Sequence, residues 1–210
     1  MHRLFISDLH LSNQTPSIET GLNDLMTRER GVESLVILGD FFEAWVGDDD
    51  DDPLAERIKD LLRQLSVAGC EILLCRGNRD FMLGQQFASD VGGTLLADVT
   101  LLEVAGAPAI VLHGDTLCTD DADYQQFRAL VHSPDWQAEM MEKSLGERRE
   151  LALQLRALSI DAASNKAEDI MDVNASAVAQ LMSDHDISRM IHGHTHRPAR
   201  HSTAAGERIV

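Results

Sequence analysis

Five times along the chain a short run of Ile, Leu and Val stops at once on a group of polar residues. "RLFIS" runs into Asp8 and His10, "SLVIL" into Gly39-Asp40, and "EILLC" into Arg76-Gly77-Asn78-Arg79-Asp80. "AIVL" runs into His113-Gly114-Asp115, and "RMI" into His192, His194 and His196. Apolar runs without polar alternation predict strands covered on both faces, and segments of helical period lie between them. In "PLAERIKDLLRQLSVAG", Leu54, Ile58, Leu61, Leu62 and Leu65 mark one face and Gly69 closes the helix. The combination predicts an α/β fold. In that class functional residues collect beyond the carboxyl ends of the strands, where loops converge on one crevice, so the five polar turns are expected to meet.

Two segments break the rhythm. "DVTLLEVAGAPAIVLHGD" holds two apolar runs joined through Gly106-Ala107-Pro108, which predicts a hairpin and so a mixed or two-sheet core. From Thr119 to about Asp172 the composition and period are helical, with no strand signal. This divides the chain into a core of residues 1–118 and 173–210 and a helical cap insertion of residues 119–172, whose base is expected to flank the crevice.

With 210 residues, 44% hydrophobic and 25% charged, the chain can bury a full core. Its net charge of −17 makes nucleic acid a poor partner. Part of the acidic excess is the run "GDDDDDP", read as a solvated loop ahead of a helix with Pro53 in its first turn; a cation site is the sharper alternative. No apolar run is long enough to span a bilayer, and "MHRLFISDLH" reaches Asp and His too soon for a signal peptide. Cys70, Cys75 and Cys118 lack zinc-type spacing and are expected to be reduced thiols, which with the missing leader points to the cytosol.

The turns offer carboxylate, amide and imidazole donors and no thiolate, a mixture that suits Mn²⁺, Fe²⁺ or Zn²⁺. One aspartate after a strand is commonly a turn residue, and one buried histidine commonly a satisfied core residue. Stability supplies no such reason for a whole set of them at strand ends, where unpaired buried charge costs several kcal/mol. In the C-terminal "MIHGHTHRPARH" the period of two sends His192, His194 and His196 to one side of a strand end.

The ordered set D-x-H, G-D, G-N-x-D, H-G-D and G-H-x-H resembles the calcineurin-like metallophosphoesterase superfamily. "ISDLHL", "LGDFFEAWVGDD", "GNRDF", "HGDTLCTDD", "IMDVN" and "IHGHTHRPA" more narrowly resemble the UDP-2,3-diacylglucosamine hydrolases of lipid A biosynthesis. The resemblance implies a four-layer sandwich, two mixed β-sheets flanked by helices, with an inserted helical cap. It implies two metal ions, one held by Asp8, His10, Asp40 and His196 and the other by Asp40, Asn78, His113 and His194, with Asp40 bridging. Two Mn²⁺ are expected from the mixed donor set. His192 is left as a supporting or core residue, and His2, His132, His185 and His201 are assigned to the surface. The reaction implied is hydrolysis of the pyrophosphate bond of UDP-2,3-diacylglucosamine by water activated between the two metals.

Where superfamily members usually read G-N-H, this chain reads Gly77-Asn78-Arg79. Arginine cannot act as a general acid, but it can clamp phosphate bidentately. That suits an anhydride, whose leaving phosphate has a last pKa of about 6 and needs its charge neutralised more than it needs a proton. The resemblance places further substrate contacts at Asn78, Arg79, His194, Asp121, Ser159 and Lys166, and a polar cap position on Ala163, where Asn165 is the nearby substitute. It also implies a strand after Ile209-Val210, so the second sheet is expected to lack strands. A substrate with acyl chains implies a cytoplasmic enzyme, peripheral on the inner membrane, with no obligate protein partner. Trp136, Met140, Met141 and Leu145 are expected to form one apolar helix face that lines an acyl-chain groove and touches the membrane, with Lys143, Arg148, Arg149 and Arg156 as a local basic patch. Packing of that stripe onto the core is the alternative. Two other functional readings are weighed, a related phosphoesterase for another nucleotide and a scaffold without catalysis; Arg79 and the full ligand set disfavour them.

Overall fold

The computed structural model describes residues 2–29, 31–164, 170 and 172–210, without the side chains of 162–164. Four parallel strands, β1 (Arg3–Ile6), β2 (Ser34–Ile37), β3 (Glu71–Leu74) and β4 (Thr94–Leu95), form one sheet in that order. Five more, β5 (Val99–Val104), β6 (Ala107–Leu112), β7 (Arg189–His192), β8 (Arg200–Thr203) and β9 (Gly206–Ile209), form a mixed second sheet ordered β5-β6-β7-β9-β8. The hairpin β5–β6 turns at Ala105-Gly106, both at positive φ, one position ahead of the expected joint. Pro108 therefore pairs with Glu103 inside the ladder.

The apolar runs lack alternation because both faces of the strands are buried. In β2, Leu35 and Ile37 face a core shared with the helices α1 (Pro16–Arg28), α2 (Pro53–Val67) and α3 (Gln85–Asp90), while Val36 packs between the sheets. In β6, Ala109 and Val111 face inward to Val36 and Leu73, and Ile110 and Leu112 face outward to Val178 and Met182 of α7 (Ala175–Asp184). Period-two alternation thus feeds three apolar layers between helix, sheet, sheet and helix. Cys70, Cys75 and Cys118 are free and buried.

Among the described residues three α-helices lie between β6 and α7, α4 (Ala122–Val131), α5 (Pro134–Met141) and α6 (Leu145–Ser164). Ser133 caps α5, and Ser144 with Glu147 exchanges the paired hydrogen bonds of a capping box at the start of α6. Because α5 ends at Met141, the stripe from Trp136 to Leu145 is not one helix face.

The acidic run is not simply solvated. Asp48 accepts from Trp45 Nε1, Gly84 N and Phe87 N, and Asp52 caps α2. Asp49 takes a bidentate pair from Arg148, whose Nη1 also donates to Val46 O at 2.7 Å, and Arg149 pairs with Asp50 and Asp51. Arg148 is 3% exposed. The expected basic patch is therefore largely spent on the core's own carboxylates, which tie α6 down onto the loop before α2. His132, packed on Phe81, and His201 are half-buried, not surface residues. Replacing Arg148 by Ala frees Asp49 to water but orphans the Val46 carbonyl, and is expected to cost about 1–2 kcal/mol in urea unfolding, whereas Lys143→Ala should cost nothing measurable.

Candidate active site

The strand ends deliver the polar turns to one edge of both sheets. The D-x-H turn after β1 lies against the G-D turn after β2 through Asp8 N to Gly39 O (3.1 Å), His10 N to Asp40 O (3.0 Å) and Leu11 N to Phe41 O (2.9 Å). The second sheet joins through His113, whose Nδ1 lies 2.8 Å from Leu38 O, and through His194 N, which donates to Asp8 Oδ2 at 2.9 Å. Among the described residues seven other than glycine have positive φ, and five of these are Asp8, His10, Asp40, His194 and His196. Left-handed backbone in such residues costs about 1–3 kcal/mol each and persists where the surroundings impose it, chiefly at functional sites.

The resulting side-chain geometry is a crowd of acceptors. His113 Nε2 and His194 Nδ1 each lie 2.9 Å from the same atom, Asn78 Oδ1, and His113 Nε2 is 3.6 Å from Asp40 Oδ1. With the His113 Nδ1 proton given to Leu38 O, the lone pair on Nε2 faces an amide oxygen and a carboxylate. On the other side His10 Nε2 is 3.2 Å from His196 Nε2 and 3.9 Å from Asp40 Oδ2, and His196 Nε2 is 3.5 Å from Asp8 Oδ1. Two constellations emerge, Asp8 with His10 and His196, and Asp8 with Asp40 and His113. Carboxylate and imidazole groups gathered in two such constellations fit the binding of divalent cations. Asp40 turns one oxygen to each side, as a shared ligand would; Asp8 reaches both groups as well.

Burial and neighbouring charge set the protonation of these groups. Burial pushes the Asp40 carboxyl up to about 6, with His113 pulling it down and Asp80 adding to the rise. Burial resists charging of His113, yet the Asp40, Asp115 and Asp8 carboxylates override it and raise its pKa. Burial, with His113 alongside, pushes His194 down to about 4 and keeps it neutral, the form that ligates. His192 is also pushed to about 4 by burial and contacts Gly193 O and Arg208, so it is a core residue.

Several functional side chains escape the motif reading. Asp80, 1% exposed, accepts from Gly77 N (2.6 Å), Phe41 N (2.7 Å) and Asp40 N (3.2 Å), binding the G-N-x-D turn to the G-D turn. Those two turns approach so closely that a Cβ on Gly77 would lie 2.1 Å from Asp40 Oδ1. Asp115 accepts from Tyr124 Oη at 2.6 Å and Arg128 Nε at 2.7 Å, fixing α4 beside the site. Glu43 pairs with Arg79 and with Arg156. Burial alone would raise the Glu43 carboxyl, but His10, Arg79 and Arg156 hold it at about 2.

A cavity of about 670 Å³ opens from this edge towards α4, α5 and α6. Asp40, Asn78, Arg79, His194 and His196 line its polar end; Trp45, Phe81, Phe127, Trp136, Met140 and Leu155 form an apolar wall. Asp121, the N-cap of α4, and Ser159, exposed on α6, reach the same cavity. Met141 and Leu145 do not line it. Asn165 and Lys166 lie outside the described residues, as does the side chain of Ala163.

Residues 1–198 match the family model for calcineurin-like phosphoesterase. The chain belongs to that family. A UDP-2,3-diacylglucosamine hydrolase from Cellvibrio japonicus (strain Ueda107) is 49% identical, aligned over 100% of this chain and 90% of its own. Hydrolases of the same name from Marinobacter nauticus (strain ATCC 700491 / DSM 11845 / VT8) and Escherichia coli O81 (strain ED1a) are each 46% identical, over 99% and 100% of this chain and 86% and 88% of theirs. The left-handed turns carry the side chains of both constellations, and Asp80 ties two of those turns together through Phe41 N and Gly77 N. Asp80→Ala should leave three or more buried N–H groups without an acceptor, at about 1–3 kcal/mol apiece, so chemical denaturation is expected to show a loss of at least about 3 kcal/mol.

Proposed function

We propose that this protein hydrolyses the pyrophosphate bond of UDP-2,3-diacylglucosamine, releasing UMP and 2,3-diacylglucosamine 1-phosphate in lipid A biosynthesis. The observation that carries the reading is one cavity with Asp40, Asn78, His194, His196 and Arg79 at one end, backed by Asp8, His10 and His113, and an apolar wall at the other. Asp8, His10, Asp40 and His196 would hold one divalent ion and Asp40, Asn78, His113 and His194 a second, with Mn²⁺ favoured by the mixture of oxygen and imidazole donors. When bound, the ions supply the Lewis acidity that makes water nucleophilic near neutral pH and the positive charge that phosphate oxygens require.

The chain's own side chains supply the rest. Arg79, part-buried beside Asp40, neutralises charge on the departing phosphate and has no proton to give it, which favours an anhydride over an alkyl phosphodiester. Asp121 and Ser159, which both line the cavity, are assigned the sugar hydroxyl and acyl-linked groups, with Lys166 assigned to the same task. Water is excluded along the apolar wall, and there the acyl chains bind. The segment 119–172, through α4, α5 and α6, acts as a cap on the core. No described helix is long and apolar enough to cross a membrane. Contact with the cytoplasmic face of the inner membrane is proposed through exposed Leu153, Leu158 and Ile160 of α6, since Arg148, Arg149 and Arg156 are already paired with core carboxylates.

Hydrolysis in ¹⁸O-water tests the bond and the atom attacked. Label is expected in UMP alone; label in the lipid phosphate would refute attack at the α-phosphorus. The apolar wall is tested by charge. Phe127→Glu is expected to raise KM for the diacylated substrate about tenfold or more, roughly 1.4 kcal/mol, and to spare a short-chain analogue, while Met141→Glu changes neither. Equal loss on both substrates would place the acyl chains elsewhere.

A further inference from the structure

Glu43 belongs to no metal motif, yet three functional side chains converge on it. We infer that Glu43 is a positioning residue that fixes which nitrogen of His10 carries the proton and holds Arg79 and Arg156 together at the polar end of the cavity; this rests on the metal-centre reading above.

The two carboxylate oxygens point to different tasks. Oε2 lies 3.2 Å from His10 Nδ1, a buried atom with no hydrogen-bond partner in line, so that a small turn of the ring completes the bond. The opposite nitrogen, Nε2, faces Asp40 and His196. A neutral imidazole has one ring proton, and beside a carboxylate it sits on the nitrogen facing that anion. Glu43 thereby leaves Nε2 bare, with its lone pair aimed at the site.

Oε1 does the second task. It accepts from Arg79 Nη1 at 2.9 Å and from Arg156 Nε at 2.5 Å. Arg79 comes from the turn after β3 and Arg156 from α6, so one oxygen joins the core to the helical segment. Arg79 Nε also lies 3.7 Å from Asp40 Oδ2. Glu43 thus gathers two guanidiniums at the cavity, which both arginines line. That is the arrangement a phosphate needs. Glu43 is itself held in place, because its N–H donates to Leu11 O at 3.0 Å alongside the D-x-H turn.

Glu43→Gln keeps the shape and removes the charge. Its Mn²⁺ affinity, read from the free-ion signal in electron paramagnetic resonance, is expected to fall about 10- to 100-fold, whereas Arg156→Gln should hold Mn²⁺ within about twofold of the parent and raise KM for the UDP-linked substrate. A second measurement needs no variant. In the Zn²⁺-loaded parent labelled with ¹⁵N-histidine, the His10 proton is expected on Nδ1. Unchanged Mn²⁺ affinity in Glu43→Gln, or a His10 proton on Nε2, would overturn the inference. A parent that binds neither ion would instead bring down the metal-centre reading itself, and the inference with it.

Discussion

Carboxylate, amide and imidazole groups drawn together from five strand-end turns are the constraint on which the rest of the structure depends. Asn78 Oδ1 meets two imidazole nitrogens at 2.9 Å, and His10 meets His196 nitrogen to nitrogen at 3.2 Å. Each contact needs either a ring proton or a cation between its two atoms, and a fold that gathers so many of these groups at one point must hold the backbone in unusual turns. It does so with five left-handed non-glycine residues, parallel hydrogen bonds between neighbouring turns, and the buried Asp80 carboxylate that collects N–H groups from two of them. The buried central strands β2, β3, β6 and β7 give those turns rigid ends to start from.

The same economy of charge governs the helical segment. An acidic chain meets its own arginines across the interface between α6 and the core, through Arg148 with Asp49, Arg149 with Asp50 and Asp51, and Arg156 with Glu43. Surface pairs of this kind add little individually, but Arg148 is buried and reaches a backbone carbonyl as well. Their use lies in register: they fix α6 so that Leu155 and Ser159 face the cavity that begins at the metal turns.

Much of this was legible in the residues. Continuous apolar runs marked strands covered on both faces, and each candidate ligand sits where its run ends. Gly69, at positive φ, closes α2 as its position suggests. What stayed hidden was partnership over distance. Asp80 stands inside a quoted motif, but its work depends on β2 and β3 lying side by side, which brings Phe41 N within 2.7 Å. Arg148 and Arg156 read as a basic patch because periodicity shows which way a helix residue faces, not which carboxylate waits about a hundred residues away. Five consecutive aspartates look solvated for the same reason: composition cannot distinguish a free carboxylate from one matched to a guanidinium.

The central claim is that the five strand-end turns form one two-metal centre. A crystal of the protein grown with Mn²⁺ and recorded at the manganese absorption edge tests it most directly. Two anomalous peaks are expected, one among Asp8, His10, Asp40 and His196 and the other among Asp40, Asn78, His113 and His194, with Asp40 contacting both. A single peak, or ions bound at the Asp48–Asp52 loop with the strand ends empty, would contradict the account.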